Sequence, residues 1–143
     1  MEKSMELIEA IKEVHRNLLP GYLGIELIEA SEENVVGSLE IKEHHCTIGE
    51  IVHGGVIMSL ADTMGAICAF LNLPPNSRTN TIESKTNLVR PGKLGDTIIA
   101  RSRLLNKGRT LMLCYSEVYN SNNQLLAVVI QSQIIISTDV KEQ

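Results

Sequence analysis

Residues 53–73 read HGGVIMSLADTMGAICAFLNL, and the fold turns on them. The run opens on His53-Gly54-Gly55, is apolar or small almost throughout, and stops before Pro74-Pro75. No other stretch is long and apolar enough to read as a buried helix. At about 100° and 1.5 Å per residue, Val56, Ile57, Leu60, Met64, Ile67 and Leu71 make one broad stripe, which predicts the face laid on a sheet. Asp62 is the only charged side chain in the run. It falls on another face, with Gly55, Met58, Ser59, Gly65, Ala66 and Ala69. A lone carboxylate in such a helix costs stability unless something uses it. A mid-helix glycine costs about 1 kcal/mol relative to alanine. Gly65 therefore points to close approach by a substrate or another backbone, or to plain helix–sheet packing.

The rest of the chain must supply the sheet. Residues 3–17 recur at helical spacing (Met5, Leu7, Ile8, Ile11, Val14) among Glu, Lys and Arg, and Pro20-Gly21 is expected to end that helix. Residues 22–30 and 34–41 alternate partly like strands around the turn-like SEEN. Residues 42–52, KEHHCTIGEIV, read as a loop leading into the helix. After Pro74-Pro75-Asn76-Ser77, strands are expected at 79–89, 96–105, 110–119 and 124–137. Turns separate them at Pro91–Gly95, Asn106–Arg109 and Asn120–Asn123. Short turns between successive strands favour antiparallel pairing. One apolar helix and about six strands predict an α+β fold with an antiparallel sheet wrapped on the helix and an extra N-terminal helix.

Composition narrows the function. The 143 residues fit one domain, taken as 1–143 with a core at about 20–137. A net charge of −4 gives no surface suited to nucleic acid or to an anionic membrane, and one Phe, three Tyr and no Trp give no stacking platform. The apolar run is long enough to cross a bilayer, but a central Asp62 favours a core helix. Cys46, Cys68 and Cys114 form no close pair, and MEKSMELIEAIKEVHRN mixes both charges without an apolar signal core, so a cytoplasmic protein with reduced thiols is expected. His44, His45, Cys46 and His53 match no standard zinc spacing, so no metal is expected. No glycine-flanked elbow surrounds any serine, which removes a Ser-His-Asp triad.

His53 and Asp62 are nine residues apart, about 13 Å along the axis and roughly half a turn around it. They cannot easily meet at one reacting centre within one chain. If both serve one site, two subunits build it. Gly54 and Gly55 stand where a helix presents free N–H groups and the positive end of its dipole, which suits an anion or a developing oxyanion.

His53-Gly54-Gly55 with Leu60-Ala61-Asp62-Thr63, then Arg90-Pro91-Gly92-Lys93-Leu94-Gly95-Asp96, then Lys107-Gly108-Arg109, closely resemble the motifs of hotdog-fold acyl-CoA thioesterases. The subgroup is that of the phenylacetic-acid-pathway (PaaI-like) enzymes and human thioesterase superfamily member 2. The resemblance implies a long helix wrapped by an antiparallel sheet, dimers that share a sheet and often pair into tetramers, and active sites at the dimer interface. It implies an acyl-CoA substrate and no cofactor. Gly54 would give its N–H to the thioester carbonyl, and Asp62 of the neighbouring subunit would attack or activate water. His53 would orient the helix start, and Thr81 would position the water. CoA contacts would come from Leu88, Val89, Arg90 and Pro91, from Asn106, Lys107, Gly108, Arg109 and Thr110, and from Gly55 at the helix start. Arg90, Lys107 and Arg109 suit phosphates.

One position departs from the pattern. Many relatives carry Asn or Gln six residues before the His, where this chain has Thr47. Either Thr47 takes part, or the loop shifts and His45 does, or the second donor is absent. A non-catalytic acyl-CoA-binding module, sensor or carrier, is the alternative function, and a hotdog hydratase is a further one.

Overall fold

The apolar run is helical, and a six-stranded sheet wraps it. The computed structural model describes residues 2–138. In chain order it has helices α1 (Glu2–His15) and α2 (Leu19–Leu23), strands β1 (Glu26–Ala30) and β2 (Val35–Glu40), and the two-residue strands β3 (Cys46–Thr47) and β4 (Ile51–Val52). Helix α3 (Gly54–Leu71) follows, then β5 (Ser77–Leu88), β6 (Thr97–Lys107), β7 (Leu111–Tyr119) and β8 (Leu125–Ser137). The large sheet runs β1-β2-β6-β7-β8-β5, and every neighbouring pair is antiparallel. This is the α+β hotdog architecture, with α1 added at its front.

The sheet's inner face follows the period of two. Along β7, Met112, Cys114, Ser116 and Val118 are buried, while their alternate neighbours are half-exposed. The core joins Leu39, Ile98, Val118 and Leu126 of the sheet to Ile57, Leu60, Met64 and Ile67 of α3. Each such side chain contributes on the order of 1.5–3 kcal/mol relative to exposure. Gly37 on β2 lies under Met64, whose sulfur would stand 2.4 Å from a Cβ there. α3 passes the length and hydropathy test for crossing a bilayer, yet its apolar face lies against this sheet.

The predicted stripe is only part of the buried face. Val56 and Leu71 are half-buried, whereas Ala61, Gly65, Cys68 and Ala69 are buried. Gly65 and Ala69 thus belong to the sheet side and not to the open side that bears Asp62.

Three local expectations change. Residues 22–30 are not one strand. Pro20 sits in the first turn of α2, where its missing N–H does no harm, and Gly24 closes that helix in the left-handed region at φ 73°. The loop at 42–52 is ordered. A single 3₁₀ turn at Glu43–His45 precedes the small β3–β4 hairpin, in which Thr47 pairs with Ile51. β6 runs on through Asn106 and Lys107 after an irregularity at Leu105, so the basic turn is Gly108-Arg109-Thr110. Gly108 closes that turn by donating its N–H to Leu111 O at 2.8 Å.

Candidate active site

Two poles of the chain carry the predicted residues. At the first, Asp62 projects from the middle of α3 toward β5 and β8. Thr81 on β5 donates its hydroxyl to Asp62 Oδ1 at 3.0 Å. Gln131 on β8 donates Nε2 to the same oxygen and reaches Thr81 Oγ1 at 3.1 Å. Gln133 Nε2 also donates to Thr81 Oγ1, at 2.7 Å, and Gln133 Oε1 accepts from Thr79 Oγ1 at 3.0 Å. Both glutamines are fully buried. An apolar groove of about 590 Å³ opens beside Asp62. Ala66 and Phe70 of α3 continue its floor at helical spacing from Asp62, and Leu7, Ile11 and Val14 of α1 form the facing wall. His15 is the groove's one basic side chain, and burial lowers its pKa.

At the second pole, α3 begins. His53 caps it: its Nδ1 accepts from Gly55 N–H at 2.9 Å, and its own N–H donates to His45 O at 2.8 Å. Val56 N–H donates to His53 O at 2.9 Å. Gly54 N–H has no partner among the described residues, so of this turn's first donors it is the one open to a ligand. A Cβ at Gly54 would lie 2.8 Å from Leu88 Cδ1. A groove of about 260 Å³ joins Gly54 to Leu88, Val89, Arg90 and Pro91, so the glycine and the first predicted CoA segment do meet. Arg90 also donates Nη1 to Leu125 O at 2.8 Å, which orients it while leaving its other donors free.

Thr47 is exposed on β3 and does not line this groove. His45 is buried, with Nδ1 accepting from Lys42 N–H at 3.0 Å and Nε2 without a hydrogen-bond partner among the described residues. Burial, with His44 beside it, lowers the His45 pKa. Its carbonyl, not its ring, serves the helix start. Gly55 has its N–H taken by His53, and so offers the site backbone room but no free donor.

The poles are separate. Leu88 is seven residues beyond Thr81 along β5, roughly 23 Å of strand. Lys107, Met112, Gln133 and Thr81 lie in one row across β6, β7, β8 and β5. The turn residues Gly108, Arg109 and Thr110, of which Arg109 and Thr110 are exposed, with Asn106 and Lys107 before them, therefore stand at the Asp62 end of the sheet. One chain brings Asp62 together with Thr81, and Gly54 with Leu88–Pro91, but does not join the two sets. Ala66 and Phe70 flank Asp62, Val52 lines the Gly54 groove, and Met58 lines neither. Among the described residues no three His, Cys, Asp or Glu side chains cluster as metal ligands.

Sequence reasoning missed Gln131 and Gln133. The signal was present in the apolar β8 strand: two amides at i and i+2 sit on the face that should be inside. It also read Gly65 incompletely. A Cβ there would lie 1.8 Å from Gln131 Oε1, so the glycine makes room for an amide of its own chain.

Comparison with known proteins agrees with this fold. The family model described as Thioesterase superfamily matches residues 49–127, more than half of the chain. The chain is similar to the acyl-coenzyme A thioesterase PaaI of Escherichia coli, with 28% identity over 107 residues that cover 74% of each protein. It is also similar to human acyl-coenzyme A thioesterase 13, with 26% identity over 99 residues, covering 67% of this chain and 68% of that one. Its fold matches a crystal structure of a thioesterase from Haemophilus influenzae with a TM-score of 0.88 at 22% identity, covering 95% of this chain and 94% of the other. With α3 capped by His53-Gly54-Gly55 and carrying a held carboxylate at Asp62, the chain belongs to the thioesterase superfamily as a PaaI-like hotdog member.

Proposed function

We propose that the protein hydrolyses acyl-CoA thioesters to a free acid and CoA, without a cofactor. The observation that carries this reading is the Asp62 carboxylate, held by Thr81 and Gln131 at the edge of an apolar groove. Hydrolysis builds negative charge on the carbonyl oxygen, and a preorganised N–H at a helix start stabilises it. Gly54 N–H is that donor. Asp62 then either adds to the carbonyl carbon, expelling the CoA thiolate and leaving an acyl-enzyme anhydride for water to open, or takes the proton of an attacking water. The apolar groove along Ala66 and Phe70 suits an uncharged acyl group.

The separation of the poles supports a site made by two subunits. β5 is the sheet's long edge, twelve residues with unpaired backbone groups on one side. Antiparallel self-pairing of β5 about a two-fold axis would carry the Leu88 end of one protomer to the Thr81 end of its partner. Gly54, His53 and the Leu88–Pro91 segment of one subunit would then face Asp62 of the other. The turn at Lys107–Thr110, at the same end of the sheet as Asp62, would receive CoA phosphates. A homodimer is the minimal active unit, and a homotetramer built from two such dimers keeps the same sites. The buried free thiols Cys68 and Cys114 suit a reducing cytoplasm.

The test is thiol release from acetyl-, hexanoyl-, decanoyl- and phenylacetyl-CoA by wild type and Asp62→Ala. Wild type is expected to turn over at least one thioester, and the variant to lose at least about 100-fold in kcat, the scale of a lost acid–base group. A second reading, a non-catalytic acyl-CoA binder, is favoured only by Thr47 lying outside the Gly54 groove. Tight binding with no turnover of any thioester would select it.

A further inference from the structure

We infer that Gln131 is a positioning residue for the Asp62 carboxylate, and that Thr81 serves that carboxylate and not a water molecule. The inference rests on the thioesterase reading for what Asp62 does, but its geometry stands by itself. A hydroxyl offers one proton and two lone pairs. At Thr81 all three are used. Oγ1 donates to Asp62 Oδ1 at 3.0 Å and accepts from Gln131 Nε2 at 3.1 Å and Gln133 Nε2 at 2.7 Å. Nothing remains with which to hold a water. The two amides fix the direction of the Thr81 proton, and Thr79 fixes Gln133 from behind.

Both donors to the carboxylate converge on Oδ1. Oδ2 has no partner among the described residues, so it is the oxygen left to act. The cost of this arrangement is visible. Gln131 is fully buried, yet its Oε1 has no hydrogen-bond partner, a loss of about 1–3 kcal/mol for a buried polar atom. Gly65 weakens the middle of α3, and any side chain there would collide with that same oxygen. Turning the amide end for end would aim its oxygen at Asp62 Oδ1. The negative charge at Asp62 selects the orientation that gives the carboxylate a donor.

The test has two independent readouts. In steady-state kinetics, Gln131→Met and Thr81→Val are expected to lower kcat about 10- to 100-fold, the scale of a misplaced reacting group. KM should stay within about 3-fold, and Thr81→Ser should recover most of the lost kcat, because interactions made only at the transition state act on kcat. Adding Gln131→Met to Asp62→Ala should have no further effect. Unchanged kcat in both single variants, or an equal further loss without Asp62, would overturn the inference. In NMR, the Gln131 side-chain amide protons should move on Asp62→Ala in the unliganded protein, whether or not any thioester is hydrolysed. If they do not move, the positioning role fails. If they move and wild type hydrolyses nothing, the positioning role stands and the thioesterase reading fails.

Discussion

Asp62 and its neighbours show how single atoms decide a site. Two glycines of α3 carry opposite consequences. At Gly65 the atom in the way is a buried amide already bonded to Asp62, so it cannot retreat. Gly65→Ala is expected to destabilise by about 1–3 kcal/mol, as overpacking does, read as a lower midpoint in urea. At Gly54 the atom in the way is the end of the Leu88 side chain, which is half-exposed and free to turn. Gly54→Ala should therefore fold with nearly unchanged stability, since alanine suits a helix better than glycine, while closing the groove at the open N–H. A melting curve and a thiol-release assay on the same preparations check both. A stable, fully active Gly65→Ala protein would contradict the packing described here.

At the scale of elements, α3 and the strands were legible because burial imposes periods on them: 3.6 residues for the helix and two for β7. The small elements were not. Pro20-Gly21 reads as a stop, yet after an extended Leu18 it starts a helical turn, and KEHHCTIGEIV has no period to betray a hairpin. That hairpin region bears on function, because His45 O holds His53 N–H and so the start of α3. His53→Ala should lower stability by about 0.5–2 kcal/mol through the lost cap. Stability should also depend on pH through His45 and His15, whose folded pKa values burial pushes below the ordinary value of about 6.5. Below that value the unfolded chain binds protons that the folded chain refuses. Stability is thus full above about pH 6.5 and falls as pH drops through the folded values. Thermal melts between about pH 7.5 and pH 5 should show this fall, and His45→Asn should flatten it.

At the scale of the molecule, the sequence contained the site's residues but not their company. Asp62 meets Thr81 across 19 positions and Gln131 across 69, and no local pattern encodes such pairings. They follow from sheet order, in which β8 comes to lie beside β5. What local geometry did carry was the separation of His53 from Asp62 along one helix. The sheet reinforces it by putting Leu88 and Thr81 at opposite ends of β5. The edge is also where the assembly is most open to test. Ile82, exposed at the irregularity midway along β5, can be changed without touching the core. Ile82→Pro removes an edge donor and should yield monomers in sedimentation, with activity lost in proportion.

The most direct measurement mixes two inactive subunits. One carries Asp62→Ala and the other Gly54→Val, each purified alone, then unfolded and refolded together. If each active site takes Gly54 from one protomer and Asp62 from the other, mixed dimers contain one intact site. With half of the dimers mixed and half of their sites intact, about a quarter of wild-type thioesterase activity should return under two-fold symmetry. If both groups act within one chain, no mixture regains activity above its parents, and the shared site is wrong.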